Sequence, residues 1–202
     1  MRTFLLRLLA LAFFLLLGAC AIPRPQPTAV RYDLGPLPKA QGTALPTLPP
    51  LVLAPVASPP GLESPLMMYR LAYANGQQPR PYAGSRWSAP PAELFAQRLK
   101  ARVGQSGGAV LLPSDGTLDV PVVRIALDDF TQVFDSPSQS VGRVALRVTV
   151  IQGRSLAAHR SFMRRVPAEG TDADAGARAL ADASDALIAD IAAWLAGLTL
   201  NK

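Results

Sequence analysis

The sequence predicts an α+β fold, a predominantly antiparallel β-sheet packed against two α-helices, preceded by a signal peptide and a proline-rich tether. Three observations predict it. Val144, Leu146, Val148 and Val150 alternate with Arg143, Ala145, Arg147 and Thr149, as in a strand with one buried face. Two stretches with helical apolar spacing, near residues 90–104 and 171–198, flank the strand-rich middle of the chain. Of the 20 prolines, 16 lie between Pro23 and Pro91, which separates an extended N-terminal part from a domain with one core.

The chain opens with a basic n-region, Arg2 and Arg7, followed by an unbroken apolar run from Leu8 to Leu17. That run suits a secretory signal, because a bilayer-spanning helix needs about 20 apolar residues. Leu17-Gly18-Ala19-Cys20 then has the form of a lipobox, and Cys20 is the only cysteine in the chain. Small residues at Gly18 and Ala19 admit an extended backbone to a peptidase, and the Cys20 thiol is the nucleophile that accepts a diacylglyceryl group. Cleavage before Cys20 frees an amine for an N-acyl chain, and two or more chains make membrane attachment durable. The alternatives are an ordinary cleaved signal peptide or a retained signal anchor. Ala21 stands where an aspartate commonly retains lipoproteins at the inner membrane, so the sorting rule points to the outer membrane.

Removing residues 1–19 leaves 183 of the 202, enough for a single domain, read here as residues 48–202, behind a lipidated tether at 20–47. With Cys20 acylated, no disulfide is expected. The net charge of +6 does not indicate nucleic acid, since an exported, anchored protein does not meet the genome. Anionic head groups or an acidic partner are the expected counterparts. An undocked polyproline-like tether from Ala21 to Thr47 would reach about 80 Å. Within it, Val30-Arg31-Tyr32-Asp33-Leu34 alternates and is expected to pair with the domain.

Strands are expected at Leu51–Val56, where Pro55 favours a sheet edge, and at Leu66–Tyr73, followed by a turn at Asn75-Gly76. Ser88 is the predicted cap of the first helix, whose stripe is Ala92, Phe95, Ala96, Leu99 and Val103 and whose end is Gly104. Strand character returns at Ala109–Leu112, Val120–Phe134 and Leu156–Val166, with turns at Ser136-Pro137-Ser138 and Gln152-Gly153. The last helix begins near Thr171, the predicted cap, with Asp172 and Asp174 suited to its positive end. Its acidic outer face argues for packing on the sheet over membrane binding.

Two candidate surfaces and one catalytic pattern stand out. Tyr69, Tyr73, Tyr82 and Trp87 approach the first helix, where packing competes with contact to a partner. Arg143 with Arg147, and Arg160 with Arg164, place cations on strand faces, as a solvated face or a site for phosphates or an acidic protein. Gly104-Gln105-Ser106-Gly107-Gly108 matches Gly-x-Ser-x-Gly, with Asp128, Asp129 and His159 downstream. A nucleophile elbow needs a strand before the serine and a helix after it, and the predicted context is the reverse. No phosphate-binding loop and no zinc-type cluster occurs in the sequence.

Read together, Cys20, Tyr32-Asp33-Leu34, Leu51-Val52-Leu53, Met68-Tyr69-Arg70-Leu71, and Tyr82 followed by Arg86-Trp87-Ser88-Ala89-Pro90-Pro91 resemble the auxiliary lipoproteins of ABC-type phospholipid transporters, including the paraquat-inducible C-type lipoproteins. The resemblance implies a non-enzymatic protein on the periplasmic face of the outer membrane. Its partner would be a mammalian-cell-entry-type substrate-binding protein, anchored at the inner membrane beside an ABC permease and ATPase, with phospholipid as cargo. Tyr69, Tyr82, Arg86 and Trp87, at the approach to the first helix, are the candidate partner interface on the strength of their residue types, and a homo-oligomeric ring on a tubular partner is compatible with the resemblance. A structural or assembly lipoprotein supporting lipopolysaccharide or outer-membrane protein delivery is the alternative.

Overall fold

The computed structural model describes residues 28–38, 44–116 and 120–199, so the lipobox residues Leu17, Gly18, Ala19 and Cys20 lie outside the described residues. The elements in chain order are β1 (Val30–Tyr32), β2 (Leu51–Leu53), β3 (Leu66–Leu71), a single helical turn α1 (Ala72–Asn75), β4 (Gly76–Trp87), α2 (Pro91–Gln105), β5 (Val110–Leu111), β6 (Val122–Ser136), β7 (Gln139–Gln152), β8 (Ser155–Pro167) and α3 (Ala173–Ala196).

All eight strands form one sheet built around β6. One edge of β6 pairs antiparallel with β7, which pairs antiparallel with β8, and these long ladders follow from the alternation and turns legible in the sequence. The other edge of β6 is shared. β2 runs parallel to its first residues, Val52 opposite Val122, and β3 runs parallel to its last ones, Tyr69 opposite Gln132. β4 pairs antiparallel with β3, β1 parallel with β4, and β5 parallel with β2. The sheet is antiparallel along its long ladders and parallel in its short ones.

A bulge at Asp128 divides β6. Leu127 pairs with Leu146 and Asp129 with Ala145, so one extra residue shifts the buried set from Val123, Ile125 and Leu127 to Phe130, Gln132 and Phe134. This keeps one face of the strand directed at the helices along its whole length. Val144, Leu146, Val148 and Val150 of β7 share that face and are all buried.

α3 lies on this face with Leu180, Leu187, Ile188 and Ile191 fully buried. Two glycines set how close it comes. A Cβ at Gly142 of β7 would stand 2.5 Å from the carbonyl carbon of Ala179 and 2.6 Å from the nitrogen of Leu180, and one at Gly176 would run into the Gln132 side chain. α2 joins the same core through Phe95, Leu99 and Val103.

Several expectations are corrected. β4 was not legible as a strand because Pro79 and Pro81 interrupt it; they are accommodated because β1 covers only Ser85–Trp87 of that edge among the described residues, leaving no ladder there that needs their missing donors. β3 stops at Leu71, and Tyr73 sits in α1. α2 starts after Pro90 with no side-chain cap, so Ser88 does not cap it. At α3 the cap is Asp172, whose carboxylate accepts from the Ala175 amide at 2.8 Å, and Thr171 is one residue too early.

Candidate functional site

The segment that follows the predicted anchor is built into the domain. β1 lies along the end of β4, with Tyr32 opposite Trp87, and the Ser88 amide donates to the Tyr32 carbonyl at 2.7 Å. Asp33 then accepts from the Gly35 amide at 2.7 Å, closing a turn in which Gly35 takes φ +68°, and Leu34 is buried. The Gly35 carbonyl accepts from Nη1 of Arg98 on α2 at 2.8 Å. The same guanidinium grips Asp185 of α3 with two parallel bonds, Nε to Oδ1 at 2.9 Å and Nη2 to Oδ2 at 2.6 Å. Arg98 is 6% exposed and Asp185 14%, and Arg102 Nε lies 3.6 Å from the same carboxylate, so a buried ion-pair cluster fastens α2, α3 and the incoming chain together.

A second polar cluster lies under the start of α3. The Tyr82 hydroxyl donates to Gln132 Oε1 at 2.8 Å, Gln132 Nε2 donates to Ser140 Oγ at 2.9 Å, and Ser140 Oγ donates to the Gly170 carbonyl at 3.1 Å. Gln132 is fully buried and satisfied at both ends of its amide. Burial foremost, with Tyr69 and Asp172 adding to it, pushes the Tyr82 hydroxyl well above its ordinary value near 10, so it remains a protonated donor. Tyr69 packs on Tyr82 with ring centroids 4.7 Å apart and meets Phe134 edge-on at 5.9 Å.

The structure divides the four predicted interface residues. Tyr69, Tyr82 and Arg86 lie half-buried on the β3–β4 hairpin, and Arg86 Nη1 donates to the carbonyls of Tyr82 and Ser85 at 2.5 and 2.9 Å. Trp87 is 1% exposed and packs edge-on against Phe130 at 5.3 Å. It is a core residue and offers no surface to a partner, because the strand period turns it inward beneath β1.

The cations of the sheet are largely neutralised. On the face away from the helices, Arg143 meets Asp129, Arg147 meets Asp128 and Arg165 meets Asp135, and on the helix side Arg164 meets Asp190. Arg160 lies over the Phe162 ring at 5.1 Å. A basic sheet surface is therefore replaced by cross-strand ion pairs. Gln132 and the Arg98–Asp185 pair were not recognised in the sequence; a glutamine in the apolar run of β6 and an aspartate near the middle of α3 were the available signals.

The serine, histidine and acids of the hydrolase pattern each serve elsewhere. Ser106 ends α2, where its Oγ accepts from the Leu45 amide at 3.2 Å and its carbonyl accepts from Thr47 Oγ1 at 3.1 Å. His159 Nδ1 is paired with Thr149 Oγ1 at 3.0 Å, and Asp128 and Asp129 hold arginines. Helix precedes Ser106 and strand follows it, the reverse of a nucleophile elbow. Among the described residues no cluster of three or more metal-ligating side chains occurs, and no helix is long and apolar enough to cross a membrane.

Fold and site define a mixed α/β domain whose N-terminal chain is clamped onto a helix pair. The chain belongs to the family of ABC-type transport auxiliary lipoprotein components, whose sequence profile matches residues 32–192. The crystal structure of protein XCC0632 from Xanthomonas campestris superposes with a TM-score of 0.72 at 19% identity, covering 82% of this chain and 94% of that one. The crystal structure of an uncharacterized protein superposes with a TM-score of 0.64 at 17% identity, covering 83% and 99%. No curated protein matches the chain in sequence.

Proposed function

We propose that this protein is a non-enzymatic outer-membrane lipoprotein of an ABC-type intermembrane phospholipid transport system, which docks the distal end of a mammalian-cell-entry-type conduit against that membrane. The observation that carries the reading is the family match, which spans α2, α3 except its last turn, and every strand but part of β1. Cys20 carries the diacylglyceryl and N-acyl chains, and Ala21 after it favours delivery to the outer membrane. The energy for transport comes from the ATPase of the system. Non-enzymatic action is supported by the separate structural partners of Ser106, His159, Asp128 and Asp129. Tyr69, Tyr82 and Arg86 remain the candidate contacts to the conduit, on a hairpin held firm by Gln132, and copies of the chain are expected to ring a tubular partner.

Crosslinking in intact cells, followed by solubilisation and mass spectrometry of what remains attached to the Cys20-anchored form, tests this. Recovery of an inner-membrane mammalian-cell-entry protein is the expected result. Reproducible recovery of lipopolysaccharide or outer-membrane protein assembly factors in its place would assign the chain to assembly.

A further inference from the structure

Ten residue steps separate Cys20 from Val30, at most about 31 Å at the polyproline rise. The 80 Å reach of an undocked tether is therefore cut by more than half once β1 is paired. The direction in which the chain arrives is also set. β1 runs parallel to β4 and antiparallel to β3 and β6, so Ala29 precedes it on the side of the sheet where the β3–β4 turn, the β6–β7 turn and the start of α3 lie.

From Leu66, opposite Arg86, to Leu71 at the top of β3 is five steps, about 17 Å. At the polyproline rise the tether thus overreaches Leu71 by only about 14 Å, which puts the β3–β4 turn within reach of the membrane surface. The chemistry of the turn suits that place. Tyr73 is 48% exposed at its tip, beside exposed Ala72 and Ala74. Arg70 and Arg80 flank it on opposite faces of the hairpin, held by the Gly76 carbonyl and Gln78 Oε1. From Arg70 to Arg80 the sequence contains these two arginines and no acid. An amphipathic ring with cations beside it fits the head-group layer of a bilayer.

We propose that the β3–β4 turn, with Tyr73 at its tip and Arg70 and Arg80 at its flanks, rests on the phospholipid head groups of the leaflet that holds Cys20. This rests on the reading of Cys20 as a lipidated anchor. It orients the domain with the β7–β8 turn, at the opposite end of the sheet, directed away from the membrane.

The test uses the lipidated full chain, in which the Cys20 thiol is consumed, so that one introduced cysteine can be labelled with nitrobenzoxadiazole. Ala74→Cys reports on the β3–β4 turn and Arg154→Cys on the β7–β8 turn. After reconstitution into phosphatidylcholine–phosphatidylglycerol vesicles containing a head-group spin label, the Ala74→Cys emission should shift to the blue and lose most of its intensity, while the Arg154→Cys emission should not change. Adding Tyr73→Ser and Arg80→Gln to Ala74→Cys should restore much of the lost emission. Quenching at Arg154→Cys, or at neither position, in a chain whose mass shows the diacylglyceryl group would overturn the proposal and leave the anchor standing. A mass lacking that group would remove the anchor reading and the proposal with it.

Discussion

On the helix side of the sheet, Gln132 is sealed beneath α3 and bonded to Tyr82 and Ser140, and Arg98 grips Asp185 away from water. On the opposite side, Asp128, Asp129 and Asp135 meet arginines of β7 and β8 near solvent, with the Arg147–Asp128 pair 55% and 40% exposed. The same groups have different worth in the two places. Water competes for every bond on the outer face, so losing a partner there exposes a charge that is already hydrated. Under the helices a lost partner leaves a polar atom with nothing to bond.

Substitutions can break this contrast at graded points. The largest effect is expected from Arg98→Ala, which strips Asp185 of its two short bonds, leaves it only Arg102 at 3.6 Å and frees the Gly35 segment, and chemical denaturation should show a loss of about 3–4 kcal/mol. Gly142→Ala forces a methyl group against the α3 backbone and should cost about 3 kcal/mol in the same measurement; equal stability would mean that α3 lies farther from the sheet than described.

Tyr82→Phe removes the donor to Gln132 and should cost about 1–3 kcal/mol. Its pH signature separates it from a packing defect. Because the folded state holds the Tyr82 proton more tightly than the unfolded chain, the contribution is fully present below about pH 10 and is lost as the pH rises beyond it. Stability of the parent should fall more steeply above pH 10 than that of Tyr82→Phe, and parallel curves would refute the bond. At the small end, Arg143→Ala should lose at most about 1 kcal/mol, and Arg147→Ala should not shift the unfolding midpoint measurably.

The contrast also explains what could be read in advance. β7 was legible because its alternation is complete over eight residues, and α3 because its stripe runs for six turns. β4 was hidden by Pro79 and Pro81, which read as loop until β3 supplies a neighbour. Arg143 and Arg147 read as a basic face because the acids that neutralise them lie on the preceding strand. Among the candidate contacts, Trp87 was a residue whose type suits an interface or a core equally, and its place opposite Tyr32 and over Phe130 decided for the core.

By itself, the sequence determined the α+β class, the two helix faces, the long antiparallel ladders and the family, because periods of 2 and 3.6 residues and short motifs are written within a few neighbouring positions. Only the tertiary structure decided the parallel strands beside β6, the clamp of Arg98 on Asp185 across 87 residues, and the bond from Tyr82 to Gln132 across 50. Such pairings depend on register and on how closely two glycines let a helix approach a sheet, and neither quantity has a local period from which it could be read.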